Sequence, residues 1–417
     1  MQDVYEVMLP LWGAPPSGQL FDQRLTTVMK EEMGAVPVDI ARGVWTIRNE
    51  NSEALIGIQV DDLLISIDAD ATELEEHIVS TLKKAFKDMK FKQSPGEVCG
   101  VKVDVDDDKH LVQLSMPVYI EDCIKKYAPH LVGTVGDTNA VPARTADLLE
   151  NVKPRDMAKG AKLDKTQKAL QCEIGAVQYL AHTVRADILP YAWKLSTVMS
   201  APDHESCRPL LDSIWKYLHA FPNRGPTYGG TDENGKPITG LSVNMVKSDL
   251  DMNEGCENFG EYLMAGDADL AQPPQKCKAA GVHMWAKAAI SVNLNSINAI
   301  MVSSTDAEVH AACSNLMLGS WIREYLAAAG YPEIKPTLTF ADNMPTVQLG
   351  NGSSPTRSRH IAKRIAYCAD KVQKGEFLFK HVKDENNPAD FLTKWVNPKK
   401  FRASIRYIFN TDAAIVK

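Results

Sequence analysis

TDAEVHAACSNLMLGSWIREYLAAAG, residues 305–330, followed by TLTFAD, residues 337–342, is the stretch whose reading decides the fold. The first segment has the length and composition of a long helix, closed by Gly330, and the second is a short apolar strand. Three strand-like segments precede them: GEYLMAGDADLA (260–271), AAGVHMWAKAA (279–289) and AISVNLNSINAIMVSS (289–304). After them come MPTVQLGN (344–351), a basic helix RSRHIAKRIAYCADKVQKG (357–375), a strand EFLFKHVK (376–383) and a helix start NPADFLTKWV (387–396). Three strands, a helix, a strand, helices, a strand and a helix describe a mixed sheet covered by helices.

Four acids stand where this layout places strand or helix ends: Asp267, Glu308, Asp342 and Asp390. Each has a structural explanation of its own. Thr305 and Glu308 have the spacing of a capping box, Asp342 is an acceptable N-cap, and Pro388 with Asp390 is an ordinary helix start. Asp267 has the alternative of a surface acid beside Asp269. Taken singly, helix starts attract acids without any chemistry.

Toward the N-terminus, VWTIR (44–48), a polar turn and ALIGIQV-DD-LLISI (54–67) read as strands, with Asp61 and Asp62 inside an apolar run. Such a pair marks either a tight hairpin turn or a metal site, because an unpaired buried carboxylate is costly. TELEEHIVSTLKKAFKDM (72–89) is an amphipathic helix with Leu74, Ile78, Leu82 and Phe86 on one face, and Thr72 with Glu75 has capping-box spacing. EVCGVKVDVDDDKHLVQLS (97–115) is a strand, an acidic turn and a strand. Its run Asp104, Asp106, Asp107, Asp108 lacks the glycine and late glutamate of an EF-hand loop and reads as a solvated turn. VYIEDCIKKYA (118–128) is helical, residues 129–165 read as a linker region, and two helical stretches follow at 166–184 and 188–221. Glycine and proline in RGPTYGGTDENGKPITG (224–240) mark a further boundary.

The bulk numbers are those of an ordinary globular chain. Its 417 residues suffice for two to four domains, 44% are hydrophobic and 24% charged, and the net charge is -7. A polycation is excluded, so any nucleic-acid contact needs locally gathered basic groups. The basic segment 354–383 meets that need, with eight Lys and Arg against Asp370 and Glu376. The 8 cysteines show no CxxC and no zinc spacing, which suits reduced thiols of an intracellular protein. No run of 18 apolar residues or signal-peptide pattern occurs, so no membrane partner is expected.

Five segments, GDADLA, VSSTDAEVHAA, FADNMPTVQLGN, SRSRHIAKRIAYCAD and NNPADFLTKWV, resemble in order and interval the ribonuclease H domain of copia-type retrotransposon polyproteins. The front of the chain resembles the reverse transcriptase of the same polyprotein. GIQVDDLLISI is similar to its YVDDLLI, CGVKV (99–103) to its LGIEV, LSMPVYIEDCIKKY (114–127) to its LSQKKYIEDLLKRF, and AVQYLAHTVRADILPYA (176–192) to its GSLMYLALTTRPDIAYA. LPLWGAPPSGQLFDQRL (9–25) is loosely similar to its LYGLKQAPRAWYDRL.

The resemblance implies an α+β chain in four parts. These are a partial reverse-transcriptase palm and thumb-like region (1–130), a helical connection (131–240), a ribonuclease H-like mixed sheet flanked by helices (241–400), and a C-terminal tail (401–417). It implies hydrolysis of the RNA strand of an RNA/DNA hybrid with two Mg²⁺ ions, or Mn²⁺, held by Asp267, Glu308, Asp342 and Asp390, with Asp269 the alternative in the first position. Arg357, Arg359, His360, Lys363 and Arg364 are the implied nucleic-acid contacts, while Lys371 and Lys374 equally suit a solvated face. His381, inside a strand pattern, is expected to be structural. Asp61 and Asp62 are the implied polymerase metal motif. Its other aspartate would lie on a strand upstream of the first residues given, so the polymerase site is expected to be incomplete in this chain. Leu270, Val309, Gln272 and Ala362 depart from the family pattern, and none removes a metal ligand. The alternative is a catalytically dead, nucleic-acid-binding remnant. Other Pol or Gag products are candidate partners, no small-molecule cofactor is implied, and the location implied is cytoplasmic or nuclear.

Overall fold

The computed structural model describes residues 17–68, 70–87, 89–92, 96–158, 160–230, 262–271, 276–353 and 361–410. The chain forms two compact units, Met1–Cys99 with Ile322–Pro332, and Gly100–Trp321 with Glu333–Lys417. The sequence reading put its first boundary near residue 130; the units part at Cys99.

In the first unit, helix α1 (Ser17–Thr27) runs into a wider π turn at Val28–Glu32. Strands β1 (Val36–Pro37), β2 (Val44–Arg48), β3 (Glu53–Gln59) and β4 (Asp62–Ile67) form an antiparallel sheet in sequence order. Helix α2 (Thr72–Ala85) packs Leu74, Ile78 and Leu82 with Trp45, Ile47 and Ile56 of the sheet and Leu25 and Met29. The expected helix to residue 89 ends at Ala85, because Phe86 turns to extended backbone. The expected capping box is not formed: Thr72 already lies inside the helix, and the N-cap, Ala71, offers no side chain. A two-residue strand, β5 (Glu97–Val98), follows.

The second unit begins with β6 (Val101–Asp106) and β7 (Leu111–Ser115), an antiparallel hairpin joined by β8 (Thr227–Gly229). The acidic turn between them is capped locally, since Asp106 accepts from the Lys109 backbone N–H at 3.1 Å. Helices α3 (Pro117–Tyr127), α4 (Asp147–Glu150), α5 (Lys165–Thr183), α6 (Leu189–Ser196) and α7 (His204–Ala220) follow. The stretch read as one helical run over 188–221 is two helices. The chain breaks after Ser196 and restarts where Asp203 caps α7 by accepting from Ser206 N at 2.9 Å.

The C-terminal sheet has strands β9 (Leu263–Asp269), β10 (Lys278–Trp285), β11 (Ala288–Ser296), β12 (Thr337–Ala341) and β13 (Phe377–His381), ordered β11-β10-β9-β12-β13. The first three run antiparallel in sequence order, and β12 lies parallel to both β9 and β13. This is the mixed, helix-covered sheet that the sequence implied. Its helices are α8 (Ser304–Ala328), α9 (Met344–Gly350), α10 (Ala362–Gln373), α11 (Asp390–Thr393) and α12 (Pro398–Phe409). Asn315 of α8 donates to the Ala280 carbonyl at 2.9 Å, and a Cβ at Gly281 would come within 2.1 Å of its Oδ1. The glycine lets the helix lie against the sheet.

One hydrophobic core runs through the second unit. Leu180, Ile214 and Trp215 of the connection helices belong to the same cluster as Phe340, Phe391 and Phe401. The region 129–165, read as a linker, contributes Ala140, Val141, Ala143 and Val152 to it. Residues 401–409, read as tail, form most of α12, with Phe401, Ile405, Ile408 and Phe409 buried. The two segments differ: the apolar residues of 129–165 are scattered among turn formers, whereas Phe401, Ile405, Ile408 and Phe409 recur at helical spacing, a signal that assigning 401–417 to a tail passes over.

Candidate active site

Asp267 sits on central strand β9 and is 1% exposed. Beside it α8 begins, and its cap is Ser303 rather than Thr305. Ser303 Oγ accepts from Asp306 N at 3.1 Å, and Asp306 in turn accepts from Val302 N at 3.1 Å. The helix start is therefore satisfied without Glu308, which points instead toward β9 and accepts from the backbone N–H of Ala268. Asp342 follows β12, and here too the cap is its neighbour: Asn343 accepts from Thr346 N at 3.0 Å. The structural explanations open to Glu308 and Asp342 are thus taken by other residues.

Carboxylate oxygens of Asp267, Glu308 and Asp342 lie within 4.8 Å of one another, and so do those of Asp342, Asp384 and Asp390. Two triads share Asp342. The acids of the first are too close and too dry to ionise together. Burial and then the charge of Asp342 push Asp267 up to about 7, against the Thr393 hydroxyl that donates to it. Burial and then the charges of Asp267 and Asp342 push Glu308 up to about 9. Asp342 is also raised, chiefly by burial, with the Asn387 amide opposing from 3.3 Å.

The second triad has cations inside it. Asp390 is 1% exposed and paired with both Lys394 and Lys400. The same two ammonium groups reach Asp384 at 3.1 and 3.0 Å. Burial works against the charge on Lys394, yet the hydrogen bond to Asp390 and the charge of Asp267 hold it above its usual range.

Asn387 ties the centre together. Its amide donates to the Gly266 carbonyl at 3.1 Å as well as to Asp342, and its Oδ1 accepts from Ala389 N at 3.0 Å. Asn387, Asp384, Thr393, Lys394 and Lys400 were all missed by sequence reasoning. Most of them lie in or beside NNPADFLTKWV, whose asparagine, threonine and lysine carry the amide, hydroxyl and ammonium groups that a carboxylate centre needs around it. Asp269, the alternative first ligand, joins neither triad and pairs with Lys278 at 3.3 Å. His381 is exposed and holds the carbonyl of Asp342 at 3.1 Å, a positioning contact at a strand end.

The donor set suits a hard divalent cation such as Mg²⁺. Every ligating group is a carboxylate, the first triad encloses no ammonium group, and among the described residues no histidine or cysteine joins either triad.

The basic segment is only partly described. Arg357, Arg359 and His360, like Gln272, lie outside the described residues. Lys363 is exposed on α10, whereas Arg364 is half-buried beside His310 and Cys313 of α8. Lys371 pairs with Glu376 at 2.7 Å and Lys374 with Asp370 at 2.8 Å, so both are engaged within the protein. Of the family departures, Val309 is core beside Ile361 and Ile365, Leu270 packs under the sheet edge near Ile297, and Ala362 is exposed.

In the first unit the aspartate pair closes the β3–β4 hairpin. Val60 and Asp61 form the two-residue loop, Gln59 pairs with Asp62, and both aspartates are exposed. The thiol of Cys99 donates to Asp62 Oδ2 at 3.7 Å. Among the described residues no group of three ligands includes either acid.

No protein-family model matches the chain. It is 23% identical over 359 residues to a retrovirus-related Pol polyprotein from transposon TNT 1-94 of Nicotiana tabacum, covering 85% of this chain and 24% of that protein. It is 26% identical over 230 residues to the corresponding polyprotein from transposon RE1 of Arabidopsis thaliana, covering 55% and 14%. The chain thus spans about a quarter or less of the length of these curated relatives. Among solved structures, a foamy viral protease-reverse transcriptase in complex with RNA/DNA hybrid aligns over 89% of this chain and 39% of its own, with 12% identity and a TM-score of 0.43. LC11-RNase H1 in complex with RNA/DNA hybrid aligns over 31% and 92%, with 14% identity and a TM-score of 0.25. The chain is thus similar to the retrovirus-related Pol polyproteins of plant copia-type transposons, the group its motifs resemble.

Proposed function

We propose that the second unit is a nuclease of ribonuclease H type, cutting the RNA strand of an RNA/DNA hybrid with divalent metal. The observation that carries this reading is the convergence of Asp267, Glu308 and Asp342 from three separate elements, with the local capping roles filled by other residues. A divalent ion bound there, Mg²⁺ or Mn²⁺, supplies Lewis acidity for water attack on a phosphodiester. The protein's own part is positional. Thr393 orients Asp267, Asn387 orients Asp342, and the Ala268 N–H orients Glu308. Lys363 and the segment carrying Arg357, Arg359 and His360 supply cations for phosphates, and selectivity for the hybrid comes from its 2′-hydroxyls and backbone geometry. The first unit, by resemblance, descends from a reverse transcriptase, with Asp61 and Asp62 its metal motif. The location implied is cytoplasm or nucleus, and other Pol or Gag products are candidate partners.

A second reading has its own observation. Lys394 and Lys400 occupy both oxygens of Asp390, so that ligand is already compensated. If those ammonium groups do not give way, the protein binds hybrid without cutting it. Cleavage of a labelled hybrid in Mg²⁺, beside Glu308→Gln and an EDTA control, separates the two. RNA-strand cutting absent from both controls supports the nuclease. Hybrid retained but intact with folded protein leaves the binding remnant.

A further inference from the structure

A cavity of about 730 Å³ lies between α6, the start of β10 and the segment that carries Thr393 and Lys394. That volume suits a ligand of nucleotide size. Four lysines line it, Lys194, Lys276, Lys278 and Lys394, against the acids Glu150 and Asp269. Two indoles, Trp193 and Trp395, are also in its wall.

Lys194 is the informative residue. It is half-buried and its ammonium group makes no hydrogen bond or ion pair among the described residues, while Lys276 is held by Asn298 at 2.8 Å and Lys278 by Asp269 at 3.3 Å. Burial and then the nearby charge of Lys278 push Lys194 below its usual range. A partly desolvated ammonium facing a second cation is an anion site waiting for its anion. Trp193 adds an aromatic surface, over which Lys278 stands at 5.5 Å.

The cavity shares a wall with the carboxylate centre. Thr393 donates to Asp267 through its hydroxyl, and its carbonyl accepts from Lys278. Asp269, the partner of Lys278, is two residues from Asp267 on the same strand face. A strand lying with one phosphate at Asp267 would bring a neighbouring nucleotide to this cavity.

We infer that the cavity is a nucleotide subsite, taking a phosphodiester at Lys194 and Lys278 and stacking the attached base on Trp193. This rests on the nuclease reading for the direction of the strand, but its binding test does not need cleavage. The full-length chain is titrated with a fluorescent RNA/DNA hybrid and a fluorescent single-stranded DNA, without divalent metal, over a series of salt concentrations. Lys194→Met keeps the aliphatic stem and removes the charge. It is expected to weaken binding roughly fivefold and to lower the salt slope by about one phosphate contact. Trp193→Ala is expected to weaken binding by several-fold without changing the salt slope. Melting temperature controls for folding, and Lys194→Arg, which restores the charge, is expected to recover binding if Lys194→Met lost it.

The outcomes separate the two readings. Wild type that binds through Lys194 but cuts nothing keeps the subsite and removes the nuclease. Cutting and binding that are both indifferent to Lys194→Met and Trp193→Ala remove the subsite and leave the nuclease standing. Folded wild type that binds neither oligonucleotide overturns the subsite outright.

Discussion

Two acidic motifs in this chain meet opposite fates, and their surroundings explain why. Asp61 and Asp62 are adjacent in sequence, sit inside an apolar run and resemble a polymerase metal motif. In the fold they lie at the exposed tip of a two-residue hairpin, where the Cys99 thiol donates to Asp62. Asp267, Glu308 and Asp342 are separated by dozens of residues, and each alone passes for a cap or a surface acid. In the fold they are brought within 4.8 Å of one another at the ends of β9 and β12 and the start of α8. Exposed acids stay charged at little cost. Converging, buried acids hold protons or need a cation, and that electrostatic tension is the ground for proposing a functional centre here.

The largest expected effect tests this contrast directly. Glu308→Gln or Asp267→Asn should lower Mg²⁺-dependent hybrid cleavage on the order of 10²–10³-fold, as loss of several kcal/mol of charge stabilisation requires. Asp61→Asn should leave it unchanged. A comparable loss in Asp61→Asn would break the comparison.

Stability against pH comes next. Asp267 at about 7 and Glu308 at about 9 are raised above their ordinary values of 3.8 and 4.5, so the metal-free fold holds more protons than the unfolded chain. Stability is fully present below the ordinary values and falls as pH rises toward the folded ones, by about 1.4 kcal/mol per pH unit for each proton of difference. Urea denaturation of the second unit between about pH 5 and 8 should show this decline, flattened in Glu308→Gln and unaffected by Asp61→Asn. Added Mg²⁺ should offset the decline at the alkaline end, because it binds the ionised acids of the folded state alone. A flat profile in metal-free wild type would show that the acids are not held protonated.

A smaller effect concerns the lysines. Lys400→Met removes one of two cations from buried Asp390 and should cost about 1–3 kcal/mol in chemical denaturation, with Mg²⁺ restoring part of it. No loss would mean that Lys394 alone satisfies Asp390. The smallest effect lies in the hairpin. Val60 holds φ at +57° in the loop beside the aspartates, a conformation that a β-branched residue adopts only under strain. Val60→Gly should stabilise the first unit by about 1 kcal/mol, and a destabilising result would show that Val60 contributes packing there.

Much of this was legible from residue order. The apolar and β-branched residues on both sides of Asp61 and Asp62 suit the hairpin, the apolar stripe of 72–89 marks a helix that stops four residues sooner, and the strands and helices after 262 fall where their composition puts them. The alternatives left open for the acids could not be closed that way. Thr305 and Ser303 are equally good caps on paper, and only backbone geometry chose Ser303 and left Glu308 to the centre. Asp384 carried no local signal, because its neighbours in the triad arrive from β12 and α11. Likewise Arg185 and Asp187, within the family-like AHTVRADILPYA, turn out to be a fully buried ion pair, with the Tyr217 hydroxyl donating to Asp187 at 2.6 Å. That motif is structural here.

By itself the sequence determined the elements, their order, the mixed sheet and the residue types able to hold a divalent ion. Periodicity and turn chemistry are local properties, and they survive in a single segment. The tertiary structure alone decided which acids are buried together, which lysines neutralise Asp390, and that the connection helices share one core with the C-terminal sheet. Those are matters of distance and desolvation between segments far apart in the chain, and no segment carries them alone.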